Sequence, residues 1–68
     1  MSIITRYSIL DSDGKVIPSV EVMHLGDCYC ADNLETGDEV IANTLSEAEA
    51  VASAMRNRNQ SHRNKTNV

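Results

Sequence analysis

Two thiols and an imidazole lie close together in this chain: Cys28 and Cys30, one residue apart, with His24 just upstream. Thiolate and imidazole ligands select zinc or copper(I), and two Cys at alternate positions of a strand point the same way. A structural zinc site takes four ligands, so the fourth would have to be Asp27, Asp32, the distant His62 or a group from a second subunit. A single intervening residue in a strand does not give disulfide geometry, and the Cys-x-x-Cys at a helix start that redox chemistry uses is missing. We therefore read two reduced, small, buried side chains on a core-facing strand beside a surface histidine, and expect no metal and no cofactor.

The carboxylates are the other candidates for chemistry. Asp11-Ser12-Asp13-Gly14 has the opening of a calcium loop, but Lys15 stands at the fifth position, the Gly falls at the fourth instead of the sixth, and Val22 occupies the twelfth. It reads as a turn. Asp38 with Glu39, or Glu47 with Glu49, would do acid and base work only if one carboxyl sat in a dry pocket. A body this small leaves little room for one, so these read as solvated groups and the chain as a non-enzyme.

How the charge is distributed says more. All ten acids precede residue 50; against Arg6 and Lys15 they leave residues 1–55 at −8, while Arg56, Arg58, Arg63 and Lys65 put +4 on residues 56–68. Asp11, Asp13, Glu21, Asp27, Asp32, Glu35, Asp38 and Glu39 fall mostly in or beside expected turns. There they would stud the rims of a sheet and steer a partner with a basic surface. The alternative reading uses Arg56, Arg58, Arg63 and Lys65 to bind nucleic acid through phosphates. A third keeps Cys28, Cys30 and His24 as a metal site.

The elements that must position these groups follow from patterning. Ile3–Leu10 alternates as a strand, with Ile3, Tyr7 and Ile9 on one face, and Asp11–Gly14 turns it into a second β-rich run from Lys15 to Met23. Pro18 has no N–H to donate, so the second strand lies at an edge or carries a bulge. Leu25-Gly26-Asp27 turns again into Cys28–Leu34, and Glu35–Asp38 turns into a short strand, Glu39–Ala42. Thr44 then opens a helix as N-cap with Glu47 three residues on, and Leu45, Ala48, Val51, Ala52 and Met55 form its apolar stripe. Beyond Asn57 the composition is polar and reads as a flexible basic tail. The expected fold is α+β: a four-strand antiparallel meander covered on one face by one C-terminal helix, with the domain over 1–56 and the tail over 57–68.

With no Trp, no Phe and only Tyr7 and Tyr29, the core is small, so a homodimer or a required partner is expected. The start of the chain lacks the basic region and apolar run of a secretory signal, and no segment approaches the roughly 18 apolar residues of a membrane span. The expectation is a cytoplasmic protein away from the membrane.

The segment Tyr29 to Met55 runs strand, Asp-Asn-Leu-Glu-Thr-Gly turn, strand, then Thr-Leu-Ser-Glu-Ala-Glu-Ala helix. It resembles a unit seen in small uncharacterised phage and bacterial accessory proteins. Asn43 departs from the aromatic that commonly precedes the capping Thr. The resemblance implies a phage or prophage accessory factor, some of which inhibit host defence systems, and it transfers no catalytic residue. Together these readings make the chain an acidic protein-binding module that modulates or inhibits a host protein.

Overall fold

A computed structural model of the chain describes residues 2–66, with side chains through Arg63. Four strands and one helix follow in order: β1 (Ser2–Leu10), β2 (Val16–Leu25), β3 (Cys28–Asn33), β4 (Glu39–Ala42) and α1 (Leu45–Thr66). The strands pair antiparallel in the order β1-β2-β3-β4, and the helix packs across one face of the sheet. This is the expected α+β meander under a C-terminal helix.

The turns have the chemistry their residues dictate. Asp11 accepts the N–H of Asp13 (2.9 Å) and of Lys15 (2.8 Å) on Oδ1, closing the first hairpin as an Asx turn. The second hairpin has only Gly26 and Asp27 between Leu25 and Cys28. Gly26 takes φ of 61° while, among the described residues, none other than glycine has positive φ, which is the type II′ pattern whose twist matches the flanking strands.

Two irregularities decide which side chains face the helix. Along β1 the register steps from Ile3 opposite Met23 to Thr5 opposite Val22, so Ile4 is an extra residue; along β2 it steps from Val20 opposite Tyr7 to Pro18 opposite Ser8, so Ser19 is extra. The expectation of a bulge near Pro18 holds, in a strand paired on both sides rather than at an edge. The shared inward face of Ile3, Tyr7 and Ile9 does not hold for Ile3, because the Ile4 bulge turns it to the outer face beside Met23.

Inside, Val20, Val22, Ala31 and Ala42 of the sheet meet Ala48, Ala52 and Met55 of the helix, with Tyr7, Tyr29, Leu45 and Val51 at the margin. The small residues of the stripe let the helix approach closely. Thr44 caps it by accepting the Glu47 N–H on Oγ1 at 3.1 Å.

The helix does not stop near Asn57. It runs to Thr66, and the expected flexible tail is corrected over 57–66; residues 67 and 68 lie outside the described residues. The reason is that polar groups of this segment bond to the sheet. Asn59, four residues past Met55 on the apolar stripe, is buried and donates through Nδ2 to Ser19 Oγ (2.7 Å) and Asn33 Oδ1 (3.1 Å), while accepting from Asn33 Nδ2 (3.4 Å). Gln60 bonds both backbone groups of Leu10, and Arg63 pairs with Glu35.

Candidate protein-interaction face

The helix covers one face of the sheet; the other is open among the described residues. Cross-strand register places Arg6, Glu21, Asp32 and Glu39 in one row across all four strands on that open face. Arg6 Nε donates to Glu21 Oε2 at 3.1 Å and closes the row at the β1 end. From Glu21 to Glu39 three carboxylates then stand directly opposite one another. Such neighbours lie about 5 Å apart at Cβ and repel, each pair costing roughly 0.2–1 kcal/mol.

The next row on the same face is apolar: Ile3, Met23, Cys30 and Ile41, with Ile41 58% exposed. Cys30 is fully buried between Met23 and Ile41, and its thiol donates to Glu39 Oε2 at 3.8 Å. Burial first, then the Glu39 and Asp32 carboxylates, push the Cys30 thiol up, so it stays protonated and unreactive. Cys28 lies beside it, half-buried, and donates to the Leu25 carbonyl at 3.6 Å.

The buried-cysteine expectation therefore holds for Cys30, but on the face away from the helix rather than the core-facing one. The thiols and His24 are not brought together. His24 lies on the opposite face, stacked on Tyr29 at 4.9 Å between ring centroids. Among the described residues no group of three or more His, Cys, Asp or Glu is placed to hold a metal ion.

Of the eight acidic candidates, only Glu21, Asp32 and Glu39 converge. Asp11 is used in its own turn, Asp13 and Asp27 are exposed at opposite ends of the sheet, and Glu35 pairs with Arg63 at 2.9 Å. Asp38 lies beside Glu39 at the free edge of β4. Here, between β4 and α1, an open groove of about 510 Å³ is lined by Asp38, Glu39, Val40, Val51, Ala54, Met55 and Arg58.

The basic candidates do not form a free arm. Arg56 Nε donates to the Ser8 carbonyl at 2.9 Å, Arg63 is paired with Glu35, and Arg58 lines the groove on another side of the helix. The side chain of Lys65 lies outside the described residues.

Sequence reasoning missed Arg6 as the terminator of the acidic row and the buried Ser19, Asn33 and Asn59. For Asn59 a signal existed: it continues the helical stripe at the spacing of Ala48, Ala52 and Met55.

No family model, no curated protein and no solved structure matches the chain. No helix among the described residues is long and apolar enough to cross a membrane.

Proposed function

We propose that the chain is a non-enzymatic module that binds a protein with a basic surface through the open face of its sheet. The row Glu21–Asp32–Glu39 carries this reading. Three like charges set side by side lower the stability of a small sheet, and such local costs belong where a surface serves a partner rather than the fold. The adjacent apolar row of Ile3, Met23 and Ile41 supplies the desolvated contact that charge alone does not give. Steering by the acidic body raises the association rate with a basic partner. The carboxylates stand on an open face rather than converging on an enclosed chamber, which suits binding better than turnover.

The resemblance of Tyr29–Met55 to phage and bacterial accessory proteins supports a host protein as the partner and its modulation or inhibition as the outcome, in the cytoplasm. Of the two ways to supplement a small core, a second copy or a foreign partner, we commit to the partner. Arg56 and Arg63 are engaged within the fold, so phosphate binding by the helix is not pursued.

Capture from a bacterial lysate at low and high salt tests the reading, comparing the native chain with Glu21→Gln, Asp32→Asn and Glu39→Gln combined. Neutralising the row relieves repulsion, so the variant stays folded. The native chain should retain a protein at low salt and release it at high salt, and the variant should retain none. Equal capture by both proteins, or recovery of nucleic acid alone, would sink the proposal.

A further inference from the structure

The two edges of the sheet are not equivalent. At the β1 edge, the N–H and C=O of Leu10 are bonded by the Gln60 side chain at 2.9 and 3.0 Å, and the Ser8 carbonyl by Arg56 at 2.9 Å. Gln60 thus stands in for a neighbouring strand, since its amide donates and accepts as a peptide group would. Helix side chains used in this way blunt the Ser8–Leu10 end of that edge against pairing.

The β4 edge is different. Beside it runs the groove, lined by the apolar Val40, Val51, Ala54 and Met55 together with Asp38, Glu39 and Arg58. Val40 and Ile41 are 37% and 58% exposed on opposite faces of this short strand. The acidic row ends here too. At the β1 end Arg6 terminates it, whereas at the β4 end it stops at Glu39 with no strand beyond among the described residues.

We infer that β4 is a receptor edge for an extended segment of the partner, which adds as a fifth strand with a Lys or Arg opposite Glu39 and an apolar side chain seated in the groove beside Val40. This rests on the acidic-face reading and specifies how the basic partner docks. Strand addition gives affinity through main-chain hydrogen bonds and specificity through alternate side chains. The alternation follows from the register. A residue opposite Glu39 lies on the outer face and extends the row as Arg6 does at the far side, and the next lies on the inner face against Val51, Ala54 and Met55. A cation opposite Glu39 is therefore followed by an apolar residue. Prolines in that stretch are excluded wherever the added strand must donate.

The probe is a capped eight-residue peptide alternating Lys and Val, titrated into the isotope-labelled chain and followed by amide NMR shifts. Its Glu and Val counterpart and a form N-methylated at alternate amides serve as comparisons. Shifts should concentrate at 38–42 and 51–58 and leave Ser8 and Leu10 unmoved. The Glu peptide and one N-methylated register should not bind, and Glu39→Gln should weaken binding by up to about fivefold, the span of one cross-strand pair. Absence of binding by the Lys peptide overturns the inference. Binding unaffected by N-methylation, with shifts on the Glu21 and Asp32 face alone, also overturns it while leaving the acidic-face reading intact. A free chain that sediments as a dimer with its β4 amides protected overturns it in favour of a second copy.

Discussion

Replacing Asn59 by Ala tests whether the second half of α1 belongs to the fold. Three hydrogen bonds join Asn59 to Ser19 and Asn33 inside the protein, and every buried side-chain polar atom among the described residues is satisfied. The substitution leaves Ser19 Oγ and Asn33 Nδ2 facing a void. A buried polar group deprived of its partner costs about 1–3 kcal/mol, so two cost about 2–6 kcal/mol. A domain of this size holds roughly 3–10 kcal/mol in all. The loss is therefore near half of the total, and about 3 kcal/mol corresponds to a fall in Tm of roughly 10–25 °C. Thermal melts by circular dichroism measure the fall, and amide hydrogen exchange should show residues 57–63 losing protection first. Combining Ser19→Ala with Asn59→Leu should recover part of the loss, because an apolar pair leaves fewer unmatched groups. A Tm change under about 3 °C with protection retained through Arg63 would show that the helix end is not held by this triad.

Thiol labelling in the native state should modify Cys28 quickly and Cys30 only after unfolding, which a timed Ellman assay with peptide mapping resolves; equal rates would contradict the burial of Cys30. Because the folded Cys30 thiol is pushed up, the unfolded chain ionises first. Stability should hold below about pH 8.5 and decline as pH climbs through the folded value, with Cys30→Ala flattening that slope in denaturant titrations. Gln60→Ala uncovers the Leu10 backbone at the β1 edge; light scattering should report faster self-association on warming, with only about 1 kcal/mol lost in stability.

The fold was legible because local signals agreed. The Asx turn at Asp11, the two-residue turn at Gly26 and the capping Thr44 each fixed a boundary by chemistry that needs no tertiary context. The helix end was not, because Asn, Gln and Arg between 57 and 63 look solvated by composition. Only the folded sheet presents Ser19, Asn33, Leu10 and Glu35 for them to bond. Similarly, the acids that seemed to stud the rims were read by their nearness to turns, whereas Glu21, Asp32 and Glu39 meet through register, a property of three strands at once.

One clue to that register lay in parity. Ile17 is odd-numbered and Val20 and Val22 are even, yet register sets Ile17 opposite the buried Ile9, on the same side of the sheet as Tyr7, Val20 and Val22, which an unbroken strand cannot arrange because its faces alternate. An extra residue between them resolves the conflict, and Ser19 is that residue. Without it, seating Ile17 inside would turn Val20 and Val22 outward and drive Glu21 into the core, so the bulge places both the packing and the acidic row. It is held from two sides, by the Ser19 carbonyl accepting the Leu34 N–H at 2.9 Å and by its hydroxyl meeting Asn59 at 2.7 Å. The polar end of the helix thus braces the irregularity on which the proposed binding face depends. Loss of Asn59 should therefore weaken partner capture as well as stability, though Asn59 lies on the opposite face of the sheet from the carboxylates.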